Sequence, residues 1–231
     1  MDERLAAAAA ANNASWCASV CRLVGIEGTR QHDAWTSAVR TPDHYPDAVT
    51  LRSMVEVPRL LERIDASTGC SIKDSFADLD LESRGFGVLF DAQWLQGPAD
   101  AAKGRDSAEW APVRDARGLC AWNAARVPAV GEGWAYPDGI LAAPSVVVAA
   151  GCRDGEIVSG AVLCTADGVV GLANVFATDG GSAEAFSGAA AAAARWLPGK
   201  PVVGYETGDD LESAREAGYE PIGPLRVWLK G

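Results

Sequence analysis

The stretch that decides the fold is residues 146–181, which read VVVAAGCRDGEIVSGAVLCTADGVVGLANVFATDGG. Two Asp-Gly pairs, at 154–155 and 167–168, divide it into three apolar segments rich in β-branched residues. An Asp-Gly pair supplies the positive φ that a two-residue hairpin turn requires. The stretch therefore predicts three antiparallel strands joined by two tight turns. The predicted strands are 146–152, 157–165 and 169–176.

Outward from this meander, the apolar pattern changes from the period of strands to that of helices. Upstream it predicts a short strand at 110–113 and a helix at 119–127. Downstream the predicted elements are a helix at 183–197, a buried strand at 202–206, a short helix at 209–217 and a strand at 219–229. This order predicts an α/β domain of the α+β type, a mixed sheet with helices on its faces.

The first half of the chain has a weaker pattern. A helix is predicted over 2–24, ended by Gly25. The other predicted elements are strands at 48–51, 70–76 and 86–94 and helices at 55–64 and 78–83. Residues 97–107 are small or charged and have no apolar period, as in a linker. We therefore expect an N-terminal α/β half at 1–96, a linker at 97–107 and a second domain at 108–231.

The ends of the two halves resemble each other. Both contain an Asp-Leu pair, then glycine followed by an aromatic residue, then Trp-Leu, and the corresponding spacings differ by only one residue. One interpretation is a pseudo-duplicated molecule in which the first half is a truncated copy. The other is coincidence, because a glycine commonly ends a helix that precedes a strand. The pairs concerned are Asp78-Leu79, Gly85-Phe86 and Trp94-Leu95 in the first half, and Asp210-Leu211, Gly218-Tyr219 and Trp228-Leu229 in the second.

Charge disfavours several classes of partner. The net charge of the 231-residue chain is −11, with no basic cluster, which argues against binding to nucleic acid or to a membrane surface. No apolar run reaches the ~20 residues of a membrane span. Six cysteines and two histidines show no spacing typical of a metal site, so no metal is expected. The cysteines lie in apolar stretches, as buried reduced thiols do, which suggests a cytoplasmic protein.

A family resemblance rests on residues 169–177, 201–206 and 209–219. Residues 212–221, ESAREAGYEP, are similar to the closing helix and Gly-aromatic stop of the Gcn5-related N-acetyltransferases (GNAT). With the element order, this resemblance covers about half the chain. It implies a GNAT-like acyl-CoA N-acyltransferase fold, in which acyl-CoA or acetyl-CoA lies where the strand 169–176 splays from the strand 202–206.

The resemblance also implies which residues would hold the donor. The pantetheine arm would pair with strand backbone at Asn174–Ala177, and the diphosphate would lie on loop amides at the start of the next helix. The expected donor-binding residues are Val175, Phe176, Ala177, Gly180, Gly181 and Ser182. The chain departs from the family at three positions. Asp179 and Glu184 would oppose a diphosphate with no Arg or Lys nearby to offset them, and Ala214 stands where many members have a general-acid tyrosine.

Three further residues are candidates for catalysis. Asn174 could orient a substrate carbonyl or satisfy a bulge, and Tyr205 and Glu206 end the strand beside the expected donor site. Glu206 could act as general base towards an amine, although a surface glutamate before a turn is the commoner case. The acceptor site is expected to be lined by His44, Tyr45, Asp74 and Trp134, with the loop 131–137 as a lid.

Three functional hypotheses follow. The first is an enzyme that transfers an acyl group from a CoA-type donor to the amine of a small molecule, by direct attack in a ternary complex. The second is a non-catalytic binding module on the GNAT fold, which the altered loop and the missing tyrosine favour. The third is a GNAT-fold enzyme that uses a different donor. The sequence is compatible with a monomer or a homodimer.

Overall fold

The structure is a computed structural model, and it describes residues 2–98, 107–130 and 135–231. Within these ranges the chain forms two compact units, Met1–Trp94 with Pro221–Gly231, and Leu95–Glu220. The helices are α1 (Glu3–Leu23), α2 (Val57–Leu61), α3 (Ala116–Val130), α4 (Ser182–Trp196) and α5 (Gly208–Glu216). The strands are β1 (Thr29–Arg30), β2 (Ala34–Thr36), β3 (Ala48–Thr50), β4 (Ser71–Asp74), β5 (Phe86–Gln96), β6 (Glu109–Pro112), β7 (Val146–Arg153), β8 (Glu156–Ala166), β9 (Val169–Ala177), β10 (Val202–Glu206) and β11 (Glu220–Lys230).

The second unit contains the predicted meander. Its strands lie in the order β10-β9-β8-β7-β6, in which β9 and β10 are parallel and the other neighbours are antiparallel. Both Asp-Gly pairs have positive φ at both residues, 53° and 85° at 154–155 and 53° and 81° at 167–168. These are the backbone angles of a type I′ turn, which suits the twist of the strands on either side. The sequence prediction of this meander is confirmed.

The helices α4 and α3 pack against this sheet. The small residues of α4 let the helix lie close to β8 and β9, and Ala189, Ala190 and Ala193 are wholly buried against Leu163 and Val170. Asp115 caps the start of α3, where its carboxylate accepts a hydrogen bond from the Gly118 amide at 2.8 Å. Mixed α/β layering, the predicted fold class, is therefore present.

The first unit contains six strands covered by α1. Its strands lie in the order β1-β2-β3-β4-β11-β5, with β3 and β4 parallel and β11 antiparallel to β4. The side chains of α1 that pack on this sheet include Ala14, Cys17 and Cys21, which contact Trp35 and Val49. A second buried cluster surrounds Trp228 of β11, which is 2% exposed.

The two units differ from the predicted domains in where the closing segment of each half lies. The strand β11, placed by the sequence in 108–231, packs in the first unit, where it lies beside β4 with Trp228 opposite Ile72. Conversely Leu95, at the end of the first half, belongs to the core of the second unit, and the Gly97 amide donates to Val202 O at 2.8 Å. Each half thus contributes its closing segment to the other unit. Most of the predicted linker lies outside the described residues.

The six cysteines are free thiols with different exposure. Cys17, Cys21, Cys70 and Cys164 are buried, as predicted, whereas Cys120 is exposed and Cys152 is half-buried. Burial raises the pKa of Cys21 to about 12. Among the described residues no cluster of His, Cys, Asp and Glu could hold a metal ion. No helix in the described part of the chain has both the length and the apolar character needed to cross a membrane.

Candidate functional site

The candidate site lies where β9 and β10 separate. The two strands pair at Val202 with Val170 and at Val203 with Gly171, although β9 runs on to Ala177 and β10 to Glu206. The pairing of β9 with β8 shifts register between Gly160 and Val162, which marks a bulge in β9. Asn174 lies in this bulge with φ of 53°, a left-handed conformation that asparagine tolerates better than most residues.

A buried arginine contacts this bulge. Arg126 of α3 is 5% exposed, and its Nη1 donates to Asn174 Oδ1 at 3.4 Å. The Arg126 guanidinium lies over the rings of Trp122 and Tyr136, with its Cζ 5.7 Å and 5.2 Å from the ring centroids. Sequence reasoning missed Arg126. Its spacing of four residues from Trp122 puts both on one face of α3, which is the signal that could have found it.

Three aromatic residues, Trp122, Tyr136 and Phe176, form what we call the aromatic cluster. Trp122 and Phe176 meet edge to face with centroids 5.2 Å apart, and Trp122 Nε1 donates to Ala149 O at 2.9 Å. Gly160 permits this approach, because a Cβ there would clash with the Trp122 indole nitrogen and the Phe176 ring. Phe176 is 4% exposed, so its ring belongs to the packing of the cluster and not to a surface open to a ligand.

The loop before α4 has a cation that the sequence did not reveal. Arg153 Nη1 lies 2.9 Å from Asp179 Oδ2, and its Nη2 lies 3.9 Å from Glu184 Oε2. The expectation that no Arg or Lys offsets these carboxylates is therefore wrong. It failed because Arg153 comes from the end of β7, which is distant in sequence and lies two strands from β9, within reach of a long side chain.

Asp179 itself takes up one of the loop amides expected to bind a diphosphate. Its Oδ1 accepts from the Gly181 amide at 3.1 Å. This hydrogen bond and the Arg153 guanidinium hold the pKa of Asp179 below its usual value. Gly180 has φ of 81° and open space around its α-carbon, so a ligand could approach its backbone closely. Ser182 begins α4, whose first-turn amides have no acceptor within the helix.

Tyr205 and Glu206 end β10 on opposite faces of the sheet. Val202 of this strand packs in the core beneath α4, so the alternation of side chains puts Glu206 on that face and Tyr205 on the face of Asn174. Burial, followed by the charge of Glu206, raises the pKa of the Tyr219 phenol.

Ala214 stands where a general-acid tyrosine was expected. The next tyrosine in the chain, Tyr219, does not replace it. Ala214 is wholly buried in the core of the second unit. Tyr219 is 4% exposed, and its hydroxyl donates to Phe186 O at 3.1 Å. Its phenol therefore serves packing in this core.

The predicted acceptor-site residues that the structure describes lie in the first unit. His44 is exposed and has φ of 70°, and Tyr45 packs edge to face with Trp16 at 6.3 Å. Asp74 is wholly buried, and its carboxylate accepts from the Leu79 amide at 2.9 Å. Burial raises the pKa of Asp74. Trp134 and the first part of the predicted lid lie outside the described residues.

The fold is shared with solved acetyltransferase structures. A GCN5-related N-acetyltransferase from Kribbella flavida matches 96% of this chain and 95% of its own, with a TM-score of 0.66 and 21% identity. One from Sphaerobacter thermophilus matches 97% and 93%, with a TM-score of 0.51 and 14% identity. A GNAT-family acetyltransferase from Novosphingobium aromaticivorans matches 94% of this chain and 96% of its own, with a TM-score of 0.52 and 9% identity. No protein-family model and no curated protein matches the sequence. The chain has the GNAT fold, as its sequence predicted.

Proposed function

We propose that this protein transfers an acyl group from a CoA-type donor to the amine of a small molecule. The observation that carries the proposal is the separation of β9 from β10 beside the start of α4, in a chain that shares the GNAT fold over nearly its whole length. The open edge of β9 offers backbone groups to an extended donor arm. The start of α4 offers amides to its diphosphate.

The residues present fit such a donor with one adjustment. Gly180 leaves room for close approach, and the amides of Ser182 and Ala183 belong to the first turn of α4. The Asp179 carboxylate already accepts from Gly181, so a diphosphate would compete with it for that amide. Arg153 offsets the charges of Asp179 and Glu184 and reduces their repulsion of the donor.

In the proposed reaction the amine attacks the thioester carbonyl directly. Backbone amides of Val175–Ala177 would polarise the carbonyl oxygen, where negative charge develops. Glu206, directly or through a water molecule, would accept the proton that the amine loses, and the thiolate would leave as a thiol after protonation. Tyr205 lies on the face of Asn174 and is our candidate for the proton donor, since Ala214 cannot serve.

Ligand-induced stabilisation tests donor binding. Acetyl-CoA and longer acyl-CoAs should raise the melting temperature of the full chain, because a ligand that binds only the folded state stabilises it. No shift at a donor concentration of about 1 mM would contradict the proposal.

Turnover of Glu206→Gln tests the proposed base. We expect this variant to lose turnover by roughly 100-fold or more without a change in donor affinity. Glu216→Gln on the exposed surface of α5 makes the same change of charge and should behave as wild type. Retained turnover in Glu206→Gln would exclude Glu206 as the base, and Tyr205→Phe tests the proton donor in the same assay.

A second candidate function is binding without catalysis. The buried Ala214 and the occupation of the Gly181 amide by Asp179 favour it. A donor-dependent rise in melting temperature, with no acetylation of any amine in a broad panel, would support this second candidate over the first.

A further inference from the structure

The contact of Arg126 with Asn174 fixes which way the asparagine amide faces. A guanidinium has only donors, so the Asn174 atom that faces Arg126 Nη1 at 3.4 Å must be the carbonyl oxygen Oδ1. The Asn174 amide nitrogen, with its two donors, then faces away from Arg126. In the part of the chain that the structure describes, this nitrogen donates to no other protein group.

The Arg126 side chain is held in place by its surroundings. Arg126 is 5% exposed, and its guanidinium lies over two rings of the aromatic cluster, those of Trp122 and Tyr136. A charge in so buried a position is screened little by solvent. The half-buried Asn174 therefore presents its N–H donors beside a buried guanidinium.

We propose that Asn174 and Arg126 form a subsite for a carboxylate on the acceptor, so that the acceptor is an amine that also carries a carboxylate, as an amino acid does. This inference rests on the proposed acyl transfer. Asn174 would contact the carboxylate oxygen, and Arg126 is a positioning residue that orients the Asn174 amide and supplies the charge. Because a positive charge disfavours a neighbouring ammonium group, Arg126 also favours the neutral, nucleophilic form of the acceptor amine.

A binding experiment tests this without turnover. N-acetylphenylalanine and N-acetylphenylalaninamide resemble reaction products and differ in having a carboxylate or a neutral amide. Their dissociation constants are measured by ligand-observed NMR on the full chain, with and without CoA. We expect wild type to bind the carboxylate about ten-fold more tightly than the amide.

Variants assign the preference to the two residues. Arg126→Gln should bind both probes equally, while Arg126→Lys, which keeps the charge, should retain part of the preference. Asn174→Asp should reverse it, and aspartate tolerates the left-handed backbone at this position, so the fold is kept. Arg117→Gln is the matched control, because Arg117 is exposed on the same helix and the change of charge is the same.

Several results would overturn the proposed carboxylate subsite. Equal binding of the two probes by wild type, binding of neither at about 10 mM, or an unchanged preference in Arg126→Gln would overturn it. Loss of turnover in Arg126→Gln with an unchanged carboxylate preference would also overturn it, because Arg126 would then act on the reaction alone. If acetyl-CoA still raises the melting temperature, only the acceptor assignment has failed; if acetyl-CoA does not, the proposed function has failed as well.

Discussion

Gly160 is the residue that lets the aromatic cluster close on the sheet. A methyl group at this position would overlap the Trp122 indole and the Phe176 ring, which come from two different elements. We expect Gly160→Ala to lower the free energy of unfolding by about 1–3 kcal/mol, measured by urea denaturation, because an overpacked core must shift to make room.

Gly87→Ala is the control for this substitution. Gly87 also lies in a strand, and its added methyl group would meet no atom within 4 Å. Its stability should change by about 0.5 kcal/mol or less. Equal losses in the two variants would mean that the close approach at Gly160 is unimportant.

A second prediction at the residue scale concerns the Asp179 carboxylate. Asp179→Asn keeps an oxygen for the Gly181 amide but removes a negative charge at the start of α4. We expect acetyl-CoA to bind this variant a few-fold more tightly by calorimetry, in keeping with the modest strength of charge effects at a helix end. Arg153→Gln leaves the carboxylates of Asp179 and Glu184 without their ion pairs to Arg153 and should weaken binding. Weaker binding by Asp179→Asn would contradict a diphosphate site here.

The sequence singled out one residue of the candidate site and missed two others. Asn174 drew attention as a polar residue in an apolar strand, and it lies at the bulge. Arg126 and Arg153 drew none, because each acquires its importance from a residue 48 or 26 positions away. Such contacts are set by strand pairing and helix packing, which no local pattern records.

At the scale of elements, α4 depends on small side chains. Ala189 has no exposed surface and packs in the core of the second unit. Ala189→Leu should lower the free energy of unfolding by about 1–3 kcal/mol, because the helix cannot lie as close to the sheet.

Ala191→Leu on the same helix is the comparison, since Ala191 is only half-buried. It should have the smaller effect in thermal or urea unfolding. A larger loss for Ala191→Leu than for Ala189→Leu would mean that α4 presents a different face to the sheet.

Elements marked by turn residues or by a regular apolar pattern were predictable from the sequence, and elements without these features were not. The strands β7 to β9 have Asp-Gly turns and β-branched residues, and β10 was predicted at its observed bounds. The strands β1 and β2 have two and three residues and show no period, so the sequence gives no sign of them. The helix predicted at 78–83 is instead a 3₁₀ turn at Glu82–Arg84, which ends at Gly85 in the left-handed conformation.

For the whole molecule, the stability of the first unit depends on the end of the chain. Trp228 of β11 is 2% exposed in a cluster with Ile72 and Phe86, and the adjacent Leu229 is 37% exposed. Trp228→Ala should lower the free energy of unfolding by about 3–5 kcal/mol. Hydrogen exchange should speed up in β4 and β5, although the substitution lies more than 100 residues away in sequence.

Leu229→Ala is the neighbouring control, with an expected change of about 0.5 kcal/mol. If Trp228→Ala left exchange in β4 and β5 unchanged, β11 would not be required for the order of those strands.

The position of β11 has a consequence for biosynthesis. The chain leaves the ribosome from its N-terminus, so β4 and β5 emerge long before the strand that lies beside both of them. Until residues 221–231 are made, the sheet of the first unit lacks a central strand and leaves the surface around Ile72 uncovered. The N-terminal unit is thus completed only after the second unit has been synthesised, and until then the nascent chain presents an apolar surface that chaperones can bind.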